Sequence, residues 1–330
     1  MNNPAPRTKG EHNMFKAFIG IDVSKDWVDI HLNTKVHKVM QSNTELFVRT
    51  HRDEFQGALC IMESTGGYEI NLARHLSDQG IAVHIAHPNQ VVAFMKAKNR
   101  LAKTDAIDAR LLSAFGAFLT LEQIRGPLSE QQYQLQHLGA RLNQLKSLLH
   151  EEHCRGNHPN MTDSFLKETF DEVVHVIEKK IKDVQNVMLS LVQADKNLRE
   201  KSEILQSMPG IGELCALNIL ADLPEIGELS KGQVASLVGV APITQQSGKM
   251  QGQSHIRYGR GDLRKVLYMG ALGACRYNPP MKAFYERLCA KGKPKKVGII
   301  AVLRKMLITL NAMIKAKALW KNQEGERALI

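Results

Sequence analysis

The chain has 330 residues, 43% hydrophobic and 23% charged, so it can bury the cores of two or three domains and is not a disordered tract. Its 44 Lys and Arg against 33 Asp and Glu leave a net charge of +11, a field that attracts polyanions and makes nucleic acid the leading partner. Five scattered cysteines with no CxxC pair argue against a disulfide framework or zinc ribbon, and no signal peptide or uninterrupted membrane-length apolar run is visible. These features predict a soluble intracellular protein behind a short disordered leader, residues 1–14.

From residue 15 the pattern is strand-like. Residues 17–23, 27–32 and 36–40 read as an antiparallel meander, followed by a helix over 44–56, a buried strand over 58–63, a helix over 68–79 and a strand over 81–86. This is an α/β order, the order of the ribonuclease H-like fold, and it assigns residues 15–127 to one domain. Residues 128–205 carry two apolar stripes at helical spacing, one through Leu135, Leu138, Leu142 and Leu145, the other through Val173, Val176, Ile177, Val184 and Met188. They predict an antiparallel coiled-coil arm turning at Gly156-Asn157-His158-Pro159, used for assembly or for gripping nucleic acid. Residues 206–330, rich in glycine and basic residues, form a third, mostly α-helical domain of short helices.

Four acids stand out. Asp22 lies inside the apolar strand Phe18-Ile19-Gly20-Ile21-Asp22-Val23, and Glu63 closes Leu59-Cys60-Ile61-Met62-Glu63; a carboxylate buried in such strands is costly without compensation. Asp105 and Asp108 in Lys103-Thr104-Asp105-Ala106-Ile107-Asp108 share one helix face, where like charges repel unless a cation lies between them. Hard oxygen ligands of this kind suit Mg²⁺ or Mn²⁺ and phosphodiester chemistry. Taken singly, each acid also admits a structural reading: a turn cap for Asp22, a lysine partner for Glu63 and a helix start for the pair. His150, His153, Cys154 and His158 have spacing that could hold zinc, but histidines at a polar helix end are common and the residues are read as the hairpin tip.

In the last third, Ser207-Met208-Pro209-Gly210-Ile211-Gly212 resembles a helix-hairpin-helix turn, with Gly210 and Gly212 opening backbone N–H groups to a phosphate. Ser247 sits in the polar stretch Thr244-Gln245-Gln246-Ser247-Gly248-Lys249, read as a loop, and chemistry alone gives that serine no role. Lys249, Arg257, Arg260, Arg264, Lys265 and Arg276, with Lys103 further upstream, are the candidate nucleic-acid contacts, suited to the sugar-phosphate backbone rather than to base edges.

These motifs together resemble the DEDD transposases of the insertion-sequence-110 family, the group that contains the Piv-type DNA invertases. The resemblance rests on Gly20-Ile21-Asp22-Val23-Ser24-Lys25, Glu63-Ser64-Thr65-Gly66, residues 103–109, residues 242–248, and the runs Leu263-Arg264-Lys265-Val266-Leu267 and Arg276-Tyr277-Asn278-Pro279. It implies a RuvC-like N-terminal domain with Asp22, Glu63, Asp105 and Asp108 as Mg²⁺ ligands, and Ser247 as a nucleophile that forms a 5′-phosphoserine link. It further implies donor and target DNA, a non-coding bridge RNA as guide, a dimer or tetramer whose protomers share sites, and a cytoplasmic, nucleoid-associated bacterial protein. The rival readings are a RuvC-like junction-resolving nuclease that hydrolyses DNA with Ser247 merely structural, and a binding module without chemistry.

Overall fold

A computed structural model of the chain describes residues 14–64, 66–98, 105–157, 163–243, 246–247, 250–251 and 255–321, and for Asp105, Ala106, Gln246, Ser247, Met250 and Gln251 the backbone alone. The expected leader, apart from Met14, therefore lies outside the described residues. The chain divides into two compact units, Met1–Leu128 and Ser129–Ile330.

The first unit is built on a mixed sheet. Strands β1 (Phe18–Val23), β2 (Trp27–Leu32) and β3 (Lys35–Met40) form the antiparallel meander; helices α1 (Thr44–Thr50) and α2 (Arg52–Phe55), strand β4 (Leu59–Glu63), helix α3 (Ile70–Asp78), strand β5 (Ala82–Ala86) and helices α4 (Pro88–Ala97) and α5 (Asp105–Gly116) follow. The sheet order is β3-β2-β1-β4-β5, with β4 parallel to both β1 and β5. Strict alternation along the strands fills two apolar layers. Ile19, Ile21, Val23, Cys60 and Met62 pack with Val48, Phe55, Leu72 and Leu76 on one face, and Leu59 and Ile61 pack with Leu111, Leu112 and Phe115 of α5 on the other.

Two details depart from the expected elements. The helix expected over 44–56 is interrupted at His51, whose backbone leaves the helical region (φ −110°, ψ 28°), so α1 and α2 are separate. Pro88 does not merely close β5. It occupies the first turn of α4, where its missing N–H costs nothing, and the preceding His87 caps the helix by accepting from the Asn89 N–H at 3.2 Å.

The second unit opens with a helical hairpin, α6 (Glu130–Gly156) and α7 (Ser164–Ala194). Its base belongs to the unit's core. Leu135, Leu142, Met188 and Val192 are buried with residues of the later helices, Gly139 lets α6 approach Ala221, and Gln132 Nε2 donates to the Leu220 carbonyl at 2.7 Å. Further out, Phe165, Leu166, Val173 and Val176 are exposed. At the tip, Cys154 Sγ lies 3.7 Å from His150 Nε2, His158 is outside the described residues, and no metal-holding group of three His, Cys, Asp or Glu occurs among the described residues.

After the hairpin come α8 (Lys196–Gln206), α9 (Glu213–Asp222), α10 (Lys231–Val238), four two-residue strands, β6 (Pro242–Ile243), β7 (Gln246–Ser247), β8 (Met250–Gln251) and β9 (His255–Ile256), and then α11 (Gly261–Tyr277), α12 (Pro279–Ala290) and α13 (Lys295–Ala316). The expectation of short helices is corrected here, because α11 has 17 residues and α13 has 22. By length and composition α13 could cross a membrane. It is instead the centre of the unit: Val302, Leu303, Met306, Leu307 and Leu310 are buried in the core. Its buried Asn311 accepts from the Gly227 N–H and donates to the Leu229 carbonyl, both at 2.8 Å, satisfying the loop after α9.

The apolar layer under α5 also carries a titratable group. His84 of β5 is 2% exposed, its ring lies against Phe115, and its Nδ1 accepts from the Arg125 N–H at 3.0 Å. Burial, reinforced by the Arg125 charge, lowers its pKa from 6.5 to about 4. The unfolded chain therefore binds a proton that the folded chain refuses, and stability is complete above about pH 6.5 and is lost as pH falls toward about 4. Urea denaturation at stepped pH is expected to show a loss of up to about 3 kcal/mol across that window, and His84→Gln is expected to flatten the corresponding part of the profile.

Candidate functional site

The site in the first unit is set by where α5 crosses the sheet. Gly20 of β1 is the crossing point: a Cβ there would fall on the Ala109 carbonyl oxygen and the Ser113 nitrogen, both helix backbone. The Gly20 N–H donates to Ser113 Oγ at 2.7 Å, and His31 Nδ1 lies 2.8 Å from the same oxygen. A serine hydroxyl can donate once and accept twice, so Ser113 serves the Gly20 N–H and the His31 ring together. Burial, helped by the nearby Arg110 charge, lowers the His31 pKa and favours its neutral form. A second crossing lies one turn and a half further along, where Gly116 meets Ile61 of β4 and Phe18 of β1.

These two crossings fix the direction of α5. Its C-terminal end lies over the start of β1, so its N-terminal end lies toward the end of β1. Gly20 and Ile61 are paired in register and both face α5, and side chains two residues along a strand share a face. Asp22 and Glu63, each two residues further along, therefore also face α5, side by side at the C-terminal ends of adjacent parallel strands. Asp108 precedes the sheet-facing Leu112 by one turn and has one carboxylate oxygen shut off from solvent. Asp105 is the first residue of α5.

The register and the line of α5 place Asp22, Glu63 and Asp108 toward one end of one face, with the backbone of Asp105 on the same helix, but among the described residues no three such side chains stand close enough to hold a metal ion. As a donor set this is all carboxylate oxygen, without thiolate or imidazole. Donors of that type suit a hard divalent ion rather than a closed zinc site.

Sequence reasoning missed three members of this constellation: Ser113, His31 and Asp29. Asp29 is only 6% exposed and stands directly opposite Asp22 in the β1–β2 pairing. The signal for it was present, an acid between Val28 and Ile30 in a strand, as Asp22 lies between Ile21 and Val23.

In the second unit the candidate residues divide. Ser247 was read as part of a loop; its backbone instead forms β7, paired with Met250 of β8, the last pair before the Gly248-Lys249 connection. Lys249 lies outside the described residues, as does Lys103 in the first unit. Arg260 makes a bidentate ion pair with Glu225, 2.8 and 2.7 Å, and both side chains are less than one third exposed. The Arg264 guanidinium donates to the carbonyls of Val238, Gly239 and Tyr258 at 3.1, 3.3 and 2.6 Å. These two arginines hold the approach to α11 together. Gly210, at φ +108°, is packed against Gly270 and Ala274 of α11, so this glycine serves close packing, whereas the side of Gly212, the cap residue of α9, is open.

Arg257, Lys265 and Arg276 are exposed, although Lys265 Nζ also reaches Asp262 at 2.9 Å. Next to Arg257 and Arg276 in the chain, Tyr258 and Tyr277 are 79% and 74% exposed.

Two family models match the chain. Residues 19–170 match the DEDD transposase model of the IS110 type, and residues 202–286 match the transposase IS116/IS110/IS902 family. The pilin gene-inverting protein of Moraxella bovis is 28% identical over 316 residues, covering 92% of this chain and 97% of that protein. The IS900 uncharacterized 42 kDa protein of Mycobacterium paratuberculosis is 28% identical over 157 residues, 44% of this chain and 39% of the relative. The IS116 uncharacterized 44.8 kDa protein of Streptomyces clavuligerus is 28% identical over 147 residues, 44% and 36% respectively.

Gly20→Ala is expected to destabilise the protein by about 1–3 kcal/mol, because the added methyl meets helix backbone that cannot rotate away. Gly232→Ala is the control. It lies in α10 with nothing within 4 Å of the new carbon, and there the same chemical change is expected to be neutral or to stabilise by roughly 0.5–1 kcal/mol in urea denaturation.

Proposed function

Because the chain belongs to the IS110-type DEDD transposases, DNA recombinases that act on insertion-sequence ends or invertible segments, we propose that it exchanges DNA strands through a covalent 5′-phosphoserine intermediate on Ser247. The observation that carries the reading is the convergence of the Asp22, Glu63 and Asp108 elements at one end of the sheet. The order β3-β2-β1-β4-β5 with an antiparallel β2 supports naming the first unit ribonuclease H-like, of the RuvC type.

Asp22, Glu63, Asp105 and Asp108 would hold Mg²⁺ or Mn²⁺. When bound, the ion offsets negative charge developing on the phosphate and on the leaving oxygen. Ser247 Oγ attacks the scissile phosphorus; its O–P bond forms as the bond to the 3′ oxygen breaks, and the serine's proton is made good on that oxygen, leaving a 3′-hydroxyl. A 3′-hydroxyl from another strand then attacks the phosphoserine, and Ser247 regains its proton. The number of phosphodiester bonds is unchanged, so no nucleotide cofactor is needed.

Donor and target DNA are the substrates, and a bridge RNA supplies specificity by base pairing while the protein grips backbone, a division of labour used by other guided systems. We assign that grip to the exposed Arg257, Lys265 and Arg276 with Tyr258 and Tyr277, with Lys103, Lys249 and the open turn at Gly212 as further contacts. Arg260, Arg264 and Gly210 we assign to the framework. The active form is a homo-oligomer, a dimer or tetramer in the cytoplasm, assembled through the exposed apolar residues of the α6–α7 arm.

Ser247→Ala is expected to abolish both recombination and the covalent protein–DNA adduct seen on a denaturing gel. Asp22→Asn is expected to abolish strand cleavage while leaving nucleic-acid binding intact in a mobility-shift assay. Adduct formation by the Ser247→Ala protein would overturn the serine assignment, and cleaved free ends without any adduct would favour hydrolysis instead. Arg257→Ala is expected to weaken binding uniformly across sequences and to reduce its salt dependence without changing the melting temperature. Arg260→Ala is expected to lower the melting temperature, since it leaves Glu225 half-buried without its bidentate partner.

A further inference from the structure

The positive charge of the chain is not spread over it. Residues 287–321 contain ten Lys and Arg and no Asp or Glu, so the other 295 residues hold 34 Lys and Arg against 33 acids and are close to neutral. This basic segment begins just past the matched residues 202–286. It covers the last turn of α12, the connection Lys291-Gly292-Lys293-Pro294, all of α13 and the five residues that follow.

The fold gathers these cations on one helical hairpin. A Cβ at Gly298 of α13 would lie 3.0 Å from the Tyr285 ring and 3.8 Å from Cys289 Sγ, so the start of α13 packs against α12 there. About two turns further along α13, Lys305 Nζ lies 4.8 Å from the centroid of the Phe284 ring, and the Arg287 guanidinium carbon lies 5.4 Å from the same centroid. Two like charges thus share one ring. The ion pair of α12 joins Lys282 to Glu286, and among the described residues neither Arg287 nor Lys305 enters one. Burial, with the Arg287 charge beside it, lowers the Lys305 pKa. Lys291, Lys293, Lys295 and Lys296 are all exposed at the connection, and the last two open α13, where the helix dipole opposes cations and no acid in the first turn offsets them.

A solvated helix face interleaves its charges, as α7 does with Lys180 and Asp183. Ten cations without an acid repel one another instead, and an anionic partner relieves that repulsion. A lipid surface fits poorly, because the apolar residues of α13 that could enter it, Val302, Leu303, Met306, Leu307 and Leu310, are buried in the core. Single strands fit poorly as well: Phe284, Tyr285 and Trp320 pack against that core and offer no open ring on which a base could stack. A regular run of phosphates without base readout matches cations of this kind.

We propose that the α12–α13 hairpin is a second nucleic-acid surface, which takes the sugar-phosphate backbone of duplex DNA through Arg287 and Lys305 along its length and Lys291, Lys293, Lys295 and Lys296 at its connection. It rests on the reading of the chain as a DNA recombinase, and on neither the acids nor Ser247. The surface adds affinity and carries no sequence preference.

The test is anisotropy titration of the full-length protein with a fluorescent duplex oligonucleotide at stepped salt, repeated on an unrelated sequence. Each phosphate contact contributes roughly 0.9 to the slope of log affinity against log salt. The slope is therefore expected to become shallower by roughly 2 when Arg287→Gln and Lys305→Gln are combined, and by roughly 2–3 when Lys293→Gln, Lys295→Gln and Lys296→Gln are combined, equally on both sequences. Melting temperatures are expected to hold, since the connection is exposed and like-charge repulsion is relieved. Single-stranded RNA and vesicles of anionic phospholipid are titrated in parallel.

Unchanged duplex slopes in both combined variants, with a shallower slope in Arg257→Ala, would overturn the hairpin surface and leave the other grip standing; unchanged slopes in all three would overturn both. A larger loss on RNA or on vesicles than on the duplex would overturn the assignment to duplex DNA. Should the variant at Arg287 and Lys305 melt well below the parent, the variant of the exposed connection decides alone.

Discussion

The contact on which the first unit depends is the one between the backbone of α5 and Gly20. A helix can lie on a strand at that distance only where the strand has no side chain, and the gap is closed by Ser113, whose hydroxyl takes the Gly20 N–H. The second crossing at Gly116 and Ile61 turns a point of contact into a line. A line fixes direction, and direction decides which end of α5 meets which end of the sheet. The two glycines define that line, and it sets which end of α5 carries Asp108 toward the strand ends of Asp22 and Glu63. The apolar layer of Ile61, Leu111, Leu112 and Phe115 supplies the burial that holds the line in place.

The second unit solves a different problem with buried polar clamps. Asn311 stitches the loop at Gly227 and Leu229, Asn278 caps α12 while its amide reaches the Pro209 carbonyl, and Arg264 gathers three carbonyls around the left-handed Tyr258 and Gly259. Tyr258 at φ +61° is a bulky residue in a conformation that glycine or asparagine usually takes. The guanidinium that fixes its carbonyl holds that strain, and the consequence is a ring turned to solvent. Basic residues in this unit thus follow two rules. Arg260 and Arg264, drawn in against a half-buried acid or several carbonyls, build the frame, and Arg257, Lys265 and Arg276 stay in solvent.

Much of the fold was legible from periodicity. The three-strand meander, the two parallel strands and the helical hairpin all show apolar spacing strong enough to set their type, and their edges moved by one or two residues. Helix α4 was missed because Pro88 reads as a stop when it follows a strand, and it is a start when a capping residue precedes it. The long helices α11 and α13 were read as short because Gly270, Gly273 and Gly298 look like breaks, whereas Gly270 and Gly298 are where other residues pack closely against the helix. The four acids stand out in the sequence because each sits in a strand or on a helix face where charge is costly. Asp29 carries the same signal, yet an alternating strand with Asp29 and His31 on one face reads equally as a solvated side. Only the cover supplied by α5, some eighty residues later in the chain, makes that face an interior. Arg260 could not be separated from Arg257 in sequence, because the difference between them is a single acid, Glu225, brought near by folding.

A cluster of carboxylates is a poor place for a polyanion to approach. Two unit charges 4 Å apart at an effective dielectric near 20 repel by about 4 kcal/mol, and a phosphate arriving at several such groups would meet more than one of these terms. On the proposed reading, neutralisation by a divalent ion is therefore the condition for DNA to enter the site, not an accessory to the chemical step alone. The net charge of +11 does not remove that local barrier, since the exposed cations described above, Arg257, Lys265 and Arg276, belong to the other unit. On the same reading, the exposed cations and aromatic faces proposed to hold nucleic acid lie in one unit and the four acids in the other. On that reading a surface of opposite sign has to hold the DNA while the acids wait for their ion.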